Sequence, residues 1–319
     1  MSNSKITPEN ECKFKSKIGG QALIEGIMMR GIDKAAMACR LPNGEIDIEE
    51  WSIKNGKNAP WYRKTPFVRG IFNLATSLAD GYKCLNKSAD KQMVDGDEEP
   101  SKFEKWLLDK FGDKLMPVLT VIASIIGVLI AVGLFVALPT FIVKLFDQYI
   151  PQRIVLSLIE GVIKISIFVL YLYLTAKLKD IQITYQYHGA EHKTIACYEA
   201  GEELTVENVK KQTRFHPRCG TSFLIIVLIV GILVFSVVTW SSGIQRVLIK
   251  LVLMPVVVGI SYEIIRLAGR YNNPVTRIVS APGLALQRLT TREPSDKQIE
   301  VAIAALTSVI PEDKEEDKW

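Results

Sequence analysis

The sequence predicts an α-helical integral membrane protein, with four transmembrane helices in two hairpins and a small cytoplasmic α+β region at the N-terminus. Three observations carry that reading. Of the 319 residues 48% are hydrophobic, and many gather into four runs long enough to cross ~30 Å of hydrocarbon at ~1.5 Å per helical residue. The 23% of charged residues lie mainly outside those runs, so substantial water-facing parts accompany them. The long runs, reflected in a positive mean hydropathy of +0.18, exclude a plain cytosolic enzyme. Finally, lysine and arginine are divided unequally among the segments that the runs separate, which sets an orientation.

Residues 1–114 form the cytoplasmic N-terminal region. The first seventeen residues are polar and lack the apolar core and small-residue cleavage site of a signal peptide, so targeting is expected from an internal membrane segment. Gly19, Gly20, Gly26 and Gly31 surround Glu25 and Arg30. They read as closely packed backbone, the alternative being a tight loop against a metal site or a lipid headgroup; the spacing is no nucleotide signature. Ala35 to Arg40, Pro42-Asn43-Gly44 and the alternating Glu45 to Glu49 read as a β-hairpin. Phe67, Ile71, Leu74, Leu78, Tyr82 and Leu85 recur at three and four residues and describe an amphipathic helix. Met93 to Lys105, acidic and containing Gly96 and Pro100, reads as a linker.

The first transmembrane hairpin occupies 115–174. Met116 to Leu138 carries no charge, and Pro117 sits near its first turn, where a missing N–H costs least. Ile154 to Leu174 carries Glu160 and Lys164, four apart on one face, which is read as an ion pair turned toward other helices. A cytoplasmic loop follows over 175–221. The second hairpin, 222–265, comprises the uncharged Ser222 to Trp240 and the marginal Val247 to Ile265, with Lys250 near one end and Glu263 near the other. In the tail, 266–319, Ser295 and Gln298 have the form of a capping box, and Ile299, Ile303, Leu306 and Ile310 follow at helical spacing.

The segments before the first run, between the second and third, and after the fourth hold nineteen, seven and eight Lys+Arg residues. The short turns hold only Lys144 and Arg153, then Arg246. Both termini and the central loop are therefore expected on the cytoplasmic side of a bacterial cell membrane, the lipid bilayer being the first partner. The net charge of +5 is modest and no dense basic tract interleaves with aromatics, so nucleic acid is not expected as a partner. The five cysteines are odd in number, scattered and never paired as C-x-x-C, which reads as reduced thiols.

All three histidines, His188, His192 and His216, lie in the central loop. Tyr185 to Ala200 lacks proline and is followed by Gly201, a suitable residue after a helix end, so a helix is predicted there. On it His188 and His192 stand one turn apart with Glu191 beside them. This is H-x-x-E-H, the order of the inverted zinc proteases, in which the histidines hold metal and the glutamate activates water. His216 and Cys219 offer an imidazole and a thiol in a turn before the third run. Such donors suit zinc or another borderline divalent metal, whereas magnesium or calcium calls for oxygens.

Four protein donors would close the shell and make the metal structural, while three would leave a position open and give Glu191 work as a catalytic base. Cys197, nine residues from His188, points away from the histidine face, and Glu199 lies roughly 10 Å along the axis, within reach only of the ligands' supports. Cys219 beside His216 is weighed as a catalytic thiol, and ligation is preferred. Arg218, Glu25, Arg30, Glu263 and Arg266 are carried as candidate supporting or substrate-binding residues, with interfacial anchoring the alternative for Glu263 and Arg266.

Ile18 to Gly31, Tyr187-His188-Gly189-Ala190-Glu191-His192-Lys193 and Arg214 to Phe223 together resemble the YqhQ-like family of bacterial multi-spanning membrane proteins. The resemblance runs from about residue 18 to about residue 305. It implies the same membrane fold and the label of a metal-dependent enzyme of unknown function, a label that itself rests on the histidine motif. The expected function is metal-dependent hydrolysis of a membrane-associated peptide or lipid at the cytoplasmic surface. The rivals are a metal-stabilised scaffold that binds other membrane proteins and, third, a transporter using Glu160 and Lys164.

Overall fold

Two stretches rich in glycine and small apolar residues at the N-terminal end pair into a sheet before any long helix appears. The structure, a computed structural model, describes residues 13–53, 60–92, 110, 112, 115–146, 148–150, 152–238, 243–271, 273–313 and 316–318. The chain divides into two compact units, one built from 1–92, 172–227 and 255–319, the other from 93–171 and 228–254.

The first unit holds a four-stranded antiparallel sheet in the order β1 (Gly19–Leu23), β2 (Gly26–Arg30), β3 (Lys34–Arg40), β4 (Ile46–Ser52). The β3–β4 hairpin agrees with the alternation of Glu45 to Glu49. The glycine-rich opening, read as packed backbone or a loop, forms β1 and β2, joined at Ile24-Glu25 with Glu25 at φ 47°. Its pattern hid it because β2 and β3 are buried on both faces, which replaces polar–apolar alternation with continuous apolar runs. Ile27, Met29, Ala36 and Ala38 face one core, while Met28, Met37 and Cys39 face another with Leu23 and Cys84.

Two helical layers cover those faces. The helix α1 (Val68–Asp90) supplies Cys84 to the second core, and its polar face pairs Lys87 and Lys91 with Glu49, and Lys91 with Asp47, on β4. On the opposite side pack α5 (Lys179–Glu199) and α10 (Asp296–Thr307), which touch each other and the sheet. The Ser295–Gln298 capping box is present at the start of α10. Between them, α6 (Val206–Lys211) and α9 (Pro274–Thr290) frame the stretch carrying His216 and Cys219. No helix was expected at 274–290, yet Asn273 caps it through Thr276 and Pro274 occupies its first turn.

Three helices are long and apolar enough to cross a membrane: Val121–Lys144, Ile154–Thr175 and Val247–Arg270. The expected count of four is thereby corrected among the described residues. The third run forms α7 (Gly220–Ser236), 17 residues, short of the roughly 20 that a span needs. Its expected end at Trp240 lies outside the described residues, as does the linker 93–105. The first run extends past its expected end at Leu138. Pro139 lacks an N–H and crowds the preceding turn, and the helix α2 (Leu115–Val132) continues through a π turn at Gly133–Ala137 into α3 (Leu138–Lys144). The hydroxyl of Thr140 donates to the Val136 carbonyl at 2.8 Å, satisfying one group of the disturbed ladder.

In the second unit, Glu160 on α4 (Arg153–Thr175) accepts from Lys250 on α8 (Gly243–Arg270), and the Thr140 hydroxyl oxygen lies 3.0 Å from the same carboxylate. Lys250, which weakened the fourth run as a sequence signal, is thus a partner of Glu160.

Candidate metal centre

The proline-free stretch leading to Gly201, which has φ +65°, folds as α5, and its final turns bring His188, Glu191 and His192 to one buried surface. Gly189 is required there. A Cβ at this position would stand 2.0 Å from the carbonyl oxygen of Arg292, whose own N–H donates to Tyr185 O at 2.8 Å. The segment after α9 therefore lies directly on the helix.

Each helix histidine is oriented by a backbone carbonyl. His188 Nδ1–H donates to Thr290 O at 2.8 Å and His192 Nδ1–H to Arg214 O at 2.6 Å. Because a carbonyl can only accept, the proton is held on Nδ1 in both rings and each Nε2 is turned to the interior. His188 Nε2 lies 3.1 Å from Cys219 Sγ. His192 Nε2 is buried with no hydrogen-bond partner among the described residues. Donor atoms of His188, His192 and Cys219 all fall within 4.8 Å of one another.

Cys219 immediately precedes α7, so its sulfur sits at a helix N-terminus and accepts from Thr221 N–H at 3.4 Å. Burial opposes ionisation, but the positive fields of His192 and His188 outweigh it and hold the thiol well below its ordinary value. For His188 burial is likewise overcome, by the Cys219 charge and hydrogen bond, which raise it to about 9. Burial dominates at Glu191 and raises its carboxyl above the ordinary range, against the pull of His188 and His192. Its Oε2 is buried and without a partner among the described residues. Gly20 makes room for it: a Cβ on Gly20 would lie 2.9 Å from the Glu191 carboxyl carbon.

His216 does not join the three donors. It is buried and its ring centroid lies 5.5 Å from that of His192, but its Nε2 faces Arg218 at 3.1 Å, as the acceptor. Burial first, then the Arg218 charge, pushes its pKa well below the usual value, so it stays neutral. Gln287 on α9 clamps the His216 backbone on both sides, at 2.8 and 2.7 Å. Arg218 pairs with Glu199, which also accepts from Ser16 N–H at 2.6 Å. Glu199 and Arg218 therefore support His216. The imidazole in contact with Cys219 is that of His188.

The remaining candidates lie elsewhere. Glu25 accepts from Tyr187 OH at 2.9 Å and ties the β1–β2 turn to α5, and Arg30 pairs with Asp80 at 2.7 Å on α1. Glu263 accepts from Arg69 and from Phe67 N–H, with Arg266 nearby on the same helix. Sequence reasoning missed Thr290 and Gln287, the groups of α9 that position the histidines. The signal for that helix was present at Asn273-Pro274.

Proteins of unknown function grouped as DUF1385 are matched by residues 65–312. The chain is 33% identical over 312 residues to the uncharacterized protein YqhQ of Bacillus subtilis strain 168, covering 97% of this chain and 95% of the relative. No solved structure matches it.

Proposed function

The chain belongs to this family of unknown function, and from the geometry of the site we propose that it is a metal-dependent hydrolase, acting on a membrane-associated substrate at the cytoplasmic surface. The observation that carries the reading is the convergence of His188, His192 and Cys219 donors within 4.8 Å, beside two buried polar atoms, His192 Nε2 and Glu191 Oε2, that have no partner among the described residues. An orphaned buried polar group costs about 1–3 kcal/mol, so their coincidence beside two imidazoles and a thiol fits a site that would hold a divalent ion, with zinc the best match to those donors.

A divalent metal held there supplies Lewis-acid polarisation of a scissile carbonyl or phosphoryl oxygen. Glu191 moves the proton. Its Oε2 takes a proton from water as the water oxygen bonds to the acyl or phosphoryl centre, and returns it to the departing group as that bond breaks. Burial raises the Glu191 carboxyl above its ordinary range, so it holds the transferred proton more readily than a free carboxylate does. Three donors with His216 diverted to Arg218 favour an open shell over the closed one of a structural scaffold.

The 3.1 Å contact of Cys219 Sγ with His188 Nε2 also favours a second reading, a metal-free Cys–His nucleophile. That reading leaves His192 Nε2 without a role, and metal content separates the two. The test of catalysis is complementation of a deletion strain with a measurable defect. Glu191→Gln should keep abundance and metal but lose roughly 10²-fold of activity, leaving the defect unrescued. Full rescue by Glu191→Gln would sink the hydrolase.

A further inference from the structure

Beside the histidine cradle the first unit carries a cleft of about 290 Å³ lined by Lys177, Arg214, Arg288 and Arg292, with Tyr173 and Thr291 in its walls. None of its described lining residues is acidic. Two of the four cations are fixed in place. Arg292 donates to Ala176 O at 3.0 Å and to Gln182 Oε1 at 3.1 Å, and Arg214 donates to the Thr291 carbonyl. Glu293 lies 3.6 Å from Arg214 but is two-thirds exposed and shared with Lys193, so it offsets little of the charge. Lys177 rests over the Tyr173 ring at 4.5 Å, and neither Lys177 nor Arg288 forms an ion pair among the described residues.

Four like charges converging on a small concavity repel one another and are stabilised by a polyanion. Arg pairs with phosphate oxygens in a fork that Lys complements as a point charge. The volume sits at the lower end of ligand pockets and suits a headgroup rather than a whole lipid. Tyr173 belongs to the last turns of the apolar helix Ile154–Thr175, and an amphipathic aromatic there is suited to a membrane–water boundary. The cleft also shares backbone with the metal centre, since Arg214 O holds His192 and Thr290, next to Thr291, holds His188.

We propose that this cleft binds the phosphate of an anionic ligand, a phospholipid headgroup or a free phosphate ester of similar size, and so selects the substrate of the neighbouring centre. The choice of substrate class rests on the hydrolase reading; binding of the phosphate does not.

The test uses the full chain purified in a neutral detergent, titrated with short-chain phosphatidylglycerol, short-chain phosphatidylcholine and inorganic phosphate. Phosphatidylglycerol should bind at least tenfold more tightly than phosphatidylcholine, weakening with salt. At about fivefold per basic group, Lys177→Gln with Arg288→Gln should weaken it about 30-fold. Both side chains are exposed and bond no backbone, so the fold should survive. Inorganic phosphate that binds as tightly as phosphatidylglycerol, and is lost in the same double variant, identifies the free ester as the source. Wild-type affinity in the double variant, or equal binding of the two lipids together with no binding of phosphate, overturns the proposal. His192→Ala should lose metal and keep lipid binding, so a chain that binds lipid but no metal refutes the hydrolase while leaving the cleft intact.

Discussion

Two imidazoles only one helical turn apart would be an ordinary buried pair were it not for the carbonyls behind them. Thr290 O and Arg214 O hold the Nδ1 protons and turn both Nε2 atoms inward, where Cys219 meets them. This division of labour predicts different outcomes for the three histidines. His188→Ala, His192→Ala and Cys219→Ser should each lower metal affinity by more than the 10–100-fold typical of changes behind the ligands, whereas His216→Gln should stay within that range. Elemental analysis of gently purified protein checks it, and wild-type protein free of zinc, iron, manganese, cobalt and nickel removes the premise. Gly189 is the second residue-scale case. With the Arg292 carbonyl 2.0 Å from where a Cβ would stand, Gly189→Ala must push the segment after α9 away from α5. A loss of about 1–3 kcal/mol, seen as a lower melting temperature together with weakened metal binding, is expected.

The sheet illustrates how an element's surroundings rewrite its pattern. Strands β2 and β3 are buried on both faces, so Ile27 and Met28 point to different cores yet are equally apolar. Ile27→Ala should cost about 2–5 kcal/mol, while Ile48→Ala, on the exposed β4, should cost far less; thermal melts of the two variants compare them. Cys39 in one core and Cys197 in the other make the same burial visible as a pH effect. Burial raises both thiols to about 11. Folding therefore favours the protonated thiol. The stabilisation is complete below the unfolded-state pKa of about 8.5 and disappears as pH rises through about 11. The melting temperature should fall over that window, and fall less steeply in a Cys39→Ala, Cys197→Ala variant.

At the scale of the whole chain, the asymmetry of Lys and Arg about the apolar helices predicts which segments reach the cell exterior. Tyr149→Cys, between the first two of those helices, should be labelled by an impermeant maleimide in intact cells. Lys297→Cys, exposed in the first turn of α10, should be labelled only after lysis. External labelling close to His188 would reverse the orientation on which the cytoplasmic substrate rests. Within the second unit, Glu160, Lys250 and Thr140 bury a charged group among apolar helices. Removing Lys250 alone leaves Glu160 buried without that partner, so Lys250→Met should reduce abundance more than Glu160→Gln with Lys250→Met, measured by immunoblot.

Local signals were enough to read the apolar runs, α1, α5 with its Gly201 end, the capping box at Ser295 and the H-x-x-E-H donors, because each depends on periodicity or capping within a few residues. The family could also be read, from three short motifs. Tertiary structure alone decided the rest. It made strands of the glycine-rich opening, because a strand covered on both faces loses alternation. It carried the first apolar helix past Pro139 by way of a π turn, and gave Glu160 the partner Lys250, 90 residues away. It turned His216 Nε2 toward Arg218 and brought Cys219 against His188. These choices turn on carbonyls and charges from distant segments, Thr290, Arg214 and Glu199 among them, whose approach no local spacing records.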